Sequence, residues 1–127
     1  MSYTFGKSTF SAGVWVKAGD VFPTPASLEV DMLTPGGFAV EVVRQSGVVA
    51  ARAERNNPNG GRHVFDFQAG GEFGAGVLTG DYKVRIVNVG QGRREVRAGA
   101  LSAVGEARAP SPAPNAPVIS YRPGEQR

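Results

Sequence analysis

Between residues 13 and 103 the chain is written in short runs where apolar and polar residues alternate. Gly, Pro and Asn cut these runs at roughly 8–12-residue spacing, which is the punctuation of an all-β domain. Leu28, Val30 and Met32 alternate with Glu29 and Asp31, and Phe38, Val40 and Val42 with Ala39 and Glu41. Tyr82, Val84 and Ile86 alternate with Lys83 and Arg85, and Val14, Val16 and Ala18 with Trp15 and Lys17. Successive side chains of a strand point to opposite faces, so each run predicts one buried and one wet face. His63, Phe65 and Phe67 share a face of a strand over residues 62–68, and residues 93–103 form a returning strand. The run Asn56-Asn57-Pro58-Asn59-Gly60-Gly61 is the strongest turn signal, since Asn and Gly accept positive φ and Pro presets a corner. Gln45-Ser46-Gly47-Val48 could turn one strand into the next. The arm that follows, residues 49–53, is open between strand and short helix, because Ala and Arg are also good helix formers. Seven or eight such strands predict a single antiparallel β-sandwich.

Composition narrows the function classes. The 41% hydrophobic content supports a packed core, despite 18 Gly and 9 Pro. There is no cysteine, so disulfides, thiolate nucleophiles and Cys-bound metals are excluded. The net charge of +3 comes without any basic run longer than Arg93-Arg94, and no nucleic-acid partner is expected. No stretch approaches the ~20 apolar residues of a membrane-crossing helix, so no membrane partner is expected either. Residues 1–10 lack a basic region followed by an apolar one, and no secretion signal is expected there.

The chain divides into a sandwich domain, residues 1–105, and an extended Pro-rich C-terminal arm, residues 106–127. Five of the nine prolines fall in the arm. Each lacks an N–H and fixes φ, so the arm cannot form a helix, and it has little apolar surface to bury. Residues 109–127 are expected to lie extended on a neighbouring subunit or on a partner's surface. The arm's one apolar stretch supplies the expected partner-binding residues Val118, Ile119 and Tyr121.

Candidate chemistry is sparse. His63 is the only histidine and has no second ligand close in sequence; a surface or interface role is expected. Glu29 and Asp31 share a strand face at a spacing that could serve a paired-carboxylate or Ca²⁺ site, but the wet face of a half-buried strand is the simpler reading. Asp81 could cap a turn or pair with Glu72 around Ca²⁺. Gly70-Gly71-Glu72-Phe73-Gly74-Ala75-Gly76 lacks the Lys of a phosphate loop. Ser and Asp residues exist for a Ser-His-Asp triad, yet no nucleophile elbow accompanies them. Trp15, Phe22 and Phe73 could form an aromatic platform for sugar, although a core position is expected for Trp15. No catalytic residue, cofactor or metal follows from the sequence.

The segment Leu78-Thr79-Gly80-Asp81-Tyr82-Lys83-Val84-Arg85-Ile86 resembles the penultimate strand of immunoglobulin-like sandwiches, and residues 63–88 resemble the end of pre-peptidase-type accessory domains. The resemblance implies a corner tyrosine at Tyr82, core positions at Val84 and Ile86, and an immunoglobulin-like or jelly-roll-like sandwich. A small sandwich with an extended arm also resembles the capsid decoration (cement) proteins of tailed bacteriophages. That implies a non-enzymatic virion component, assembled in the host cytoplasm. Its partners would be the major capsid protein or neighbouring virion subunits, with a homo-oligomer, a trimer favoured. A phage fibre or surface module recognising host glycan is the alternative.

Overall fold

A computed structural model describes residues 1–67 and 79–109. Among the described residues ten strands are present: β1 (Ser2–Phe5), β2 (Ser8–Phe10), β3 (Gly13–Trp15), β4 (Phe22–Pro23), β5 (Pro25–Met32), β6 (Phe38–Arg44), β7 (Val49–Arg55), β8 (Gly61–Asp66), β9 (Asp81–Asn88) and β10 (Arg94–Ala103). The residues left open at 49–53 are therefore strand. Across it Ala53 lies opposite Val40 and Ala51 opposite Val42, so packing on β6 decides against helix propensity.

The strands form two antiparallel sheets. The first runs β1-β10-β5-β8, with β2 continuing the β1 edge along the other end of β10. The second runs β3-β9-β6-β7, with β4 continuing the β3 edge along β9. Each sheet is thus four lines wide, and one outer line of each is broken. Counting β1/β2 and β3/β4 as one line each, the pairs are first with last, second with seventh, third with sixth and fourth with fifth. That is a long hairpin rolled up on itself, the topology of a jelly roll. Of the two sandwich topologies expected, the jelly roll is the one present. The last two strands, β9 and β10, lie in different sheets.

The inward faces are those set by the alternation. Leu28, Val30 and Met32 from β5 meet Phe38, Val40 and Val42 from β6, with Tyr82, Val84 and Ile86 from β9 and Val96 and Leu101 from β10. Lys83 and Arg85 turn outward, and the Tyr82 hydroxyl donates to the Thr79 carbonyl at 3.0 Å, the bond of a tyrosine corner. Gly99 is required by a close approach: a Cβ there would lie 2.2 Å from the Phe5 ring, which packs directly over the glycine. The sandwich continues past residue 105. The Arg108 backbone exchanges both hydrogen bonds with Val21, at 2.8 and 3.0 Å, and its guanidinium pairs with Asp81.

Candidate functional site

A sandwich has two open flanks where the sheets part, and here they differ. On the β7/β8 flank Arg55 spans the gap. Its guanidinium donates to the Val64 carbonyl at 2.9 Å and lies over the Phe65 ring, 4.2 Å from the centroid. The turn beside it is locked by Asn57, buried with φ +50°. The Asn57 amide nitrogen donates to the Thr34 and Gly36 carbonyls at 3.0 and 3.1 Å. That fixes the amide, so its oxygen must accept from His63 Nε2–H at 2.8 Å. The His63 ring also meets Phe38 edge-on, with centroids 5.1 Å apart. Burial, and after it the nearby Arg55 charge, hold the His63 pKa below its usual value. His63 is therefore a half-buried structural group rather than a surface residue.

From the far side the same β5–β6 corner is gripped by Arg94, which is 5% exposed. Arg94 donates to the carbonyls of Gly37, at 3.1 Å, and Gln91, at 2.9 Å. A Cβ on Gly36 would come within 2.5 Å of the guanidinium, so only glycine fits there, at φ +119°.

The opposite flank is notched. The two broken edge lines, β1/β2 and β3/β4, face each other across it. Between them lies an apolar cavity of about 310 Å³, walled by Phe5, Val14, Trp15 and Lys17 and floored by Ile86 and Val96. The gap exists because the chain leaves the sheet after Trp15. Residues Val16–Gly19 make a tight 3₁₀ turn in which Lys17 (φ 51°), Ala18 (φ 58°) and Gly19 (φ 88°) are all left-handed. This conformation costs an L-residue about 1–2 kcal/mol. Strain of this kind often collects where a binding surface is shaped. The alternation expected through Ala18 therefore stops at Val16, which is buried.

Trp15 is correspondingly not a core residue: it is 36% exposed. Its pair across β9 is Arg85, whose guanidinium carbon lies 5.1 Å from the indole centroid, with the Lys83 ammonium at 5.6 Å. Arg85 also pairs with Glu41 at 2.6 Å, and Glu41 with Arg52 at 3.0 Å. One register row, Trp15–Arg85–Glu41–Arg52, thus crosses the whole outer face of the second sheet. It holds the indole in place on one side and leaves its other side to the notch. Phe22, the second member of the aromatic platform, is fully buried and cannot join it. Phe73 lies outside the described residues.

The remaining candidates are occupied by salt bridges. Glu29 pairs with Arg62, and Asp31 with Arg97 at 3.2 Å, on the solvated face of the first sheet. Asp81 pairs with Arg108, which holds its carboxyl below the usual range; Glu72, its expected companion, is outside the described residues. Among the described residues no three His, Asp or Glu side chains converge on a point, and no helix is long and apolar enough to cross a membrane. Val118, Ile119 and Tyr121 lie outside the described residues.

The class defined by this architecture is a jelly-roll sandwich, closed on one flank and notched on the other, with a Pro-rich continuation beyond Arg108. No family model matches the chain, and no curated protein matches it.

Proposed function

We propose that the chain is a non-enzymatic structural component of a virion, a capsid decoration protein of a tailed bacteriophage that stabilises the head lattice. The observation that carries the reading is the way the arm is launched. A jelly roll, a topology much used in viral capsids, ends in a β-bridge and an ion pair that fix Arg108 on the domain. The Pro-rich arm begins directly after. Restricted φ keeps such an arm extended before contact and lowers the entropy lost on docking. Val118, Ile119 and Tyr121 are the proposed anchors on the major capsid protein or on neighbouring subunits of a homo-oligomer, a trimer favoured. Symmetry then multiplies modest contacts into firm attachment.

The test is co-sedimentation of the full chain with empty phage heads. Replacing Val118, Ile119 and Tyr121 together by Ser should abolish attachment and leave the melting temperature unchanged; attachment at native strength by that variant overturns the reading. One observation favours a second reading, a surface module for host glycan: Trp15 is exposed at the rim of the notch. Loss of polysaccharide binding on Trp15→Ala, with head attachment absent, would select it.

A further inference from the structure

We infer that the notch around Trp15 is the seat of the chain's own proximal arm, residues 109–114. The direction of the chain carries this. β3 and β4 both run antiparallel to β9 along one side, with Trp15 opposite Arg85 and Phe22 opposite Tyr82. Arg108 is bonded antiparallel to Val21, immediately before β4. Beyond Arg108 the chain therefore heads from β4 towards β3, along the line that leads to Trp15. The three residue steps of β9 from Tyr82 to Arg85 span ~10 Å, which an extended arm covers in about three residues at ~3.1 Å each. The next residues are Ala109-Pro110-Ser111-Pro112-Ala113-Pro114.

The chemistry of the two surfaces matches. Pro at every second position favours a polyproline II conformation, and such segments dock on grooves lined by aromatic rings. Trp15 and Phe5 provide rings from the two sheets, and Val14 also lines the cavity. Residues 109–114 carry no charge, so seating them beside Lys17 and Arg85 strips water from no ion on the arm. The tether is short, so the local concentration of the segment is ~mM or higher, and a weak contact suffices to fill the notch. The seat would aim the rest of the arm, and with it residues 118–121, along the β3 flank. The inference is independent of what those residues bind.

Trp15 is the only tryptophan in the chain, so its fluorescence reports on the notch alone. The comparison is the full native chain against a full chain carrying Pro110→Gly, Pro112→Gly and Pro114→Gly, over a wide range of protein concentration. The expected result is a red shift of emission and a higher acrylamide quenching constant in the variant, with native values that do not change on dilution. Identical emission and quenching in the two chains overturns the inference. So does a native signal that moves to the variant's values on dilution, because the notch would then hold the arm of a second copy. Equal melting temperatures for the folded domain exclude a general loosening as the cause; a variant whose emission shifts only together with early melting counts against the seat.

Discussion

The two flanks of this sandwich are built from the same kinds of strand, yet one is closed and the other is not. On the β7/β8 side polar groups that reach the edge are put to use between the sheets. Arg55 bridges to Val64, and Asn57 ties His63 to the β5–β6 corner. On the other side both edge lines are interrupted, at residues 6–7 and 16–21, and the core residues Ile86 and Val96 are left at the bottom of a cavity. A closed flank adds stability; an open one leaves apolar surface available for binding. The difference teaches that a jelly roll can place a binding surface at its seam without disturbing its core.

The largest expected contrast is between one aromatic from each flank. Phe65, fully buried under Arg55 and edge-on to Phe38, should cost about 3–5 kcal/mol on truncation to alanine, the usual range for a buried Phe. Trp15→Ala should cost less than about 1 kcal/mol, as expected outside the packed core. Urea denaturation of both variants decides it, and equal losses would show that the notch is as load-carrying as the core.

Asn57→Ala comes next. It strips two part-buried carbonyls and His63 of their partner and puts a residue of lower left-handed preference at φ +50°. A loss of about 2–3 kcal/mol follows from the unsatisfied groups, read from the same denaturation curves. A loss under about 0.5 kcal/mol, the size of an ordinary surface substitution, would mean the corner is held by Arg94 alone.

On the notched flank the sign reverses. Ala18 at φ 58° is strained, and Ala18→Gly should stabilise by about 0.5–1 kcal/mol once the added chain entropy of glycine is offset. Destabilisation would mean that the Ala18 methyl packs on the cavity wall, and that the turn is shaped by contacts rather than held against strain.

The alternation in β5, β6 and β9 was enough to place their inward faces, because a period of two has one solution once a core must be covered. The turn at residues 56–61 was legible from Asn, Pro and Gly. What was not legible arises between segments distant in sequence. Nothing local tells that Arg108 returns to Val21, or that Arg85 joins Trp15 to Glu41. The alternation sets Trp15 on the outer face with Lys17, where it lies beside Arg85; the core expectation rests only on the size of the indole, and neither Lys17 nor Ala18 signals the left-handed turn that opens the notch beside it. Asn57 reads as a turn residue, yet it is its side chain that ties the turn to His63 and to the β5–β6 corner. Its six-residue separation from His63 across that turn is the one clue the sequence held.

The smallest effect is a pH dependence that belongs to the closed flank alone. His63 has its folded pKa held below the ordinary 6.5, first by burial and then by Arg55. At a pH between the folded and unfolded values the unfolded chain binds more protons, so stability rises with pH through that window. The contribution is complete above about 6.5 and is lost as pH falls below it towards the folded value. Protonation does not break the bond to Asn57, since Nε2 carries its hydrogen in both states; the loss comes from placing a charge in a half-buried site beside a guanidinium. His63→Gln can keep an N–H directed at the Asn57 oxygen while removing the titration. The native stability curve should therefore fall more steeply from pH 6.5 to 5 than that of the variant, in denaturation midpoints measured at constant salt. Parallel curves would mean that His63 is as well solvated as in the unfolded chain, and the β7/β8 flank would then be less tightly closed than its hydrogen bonds indicate.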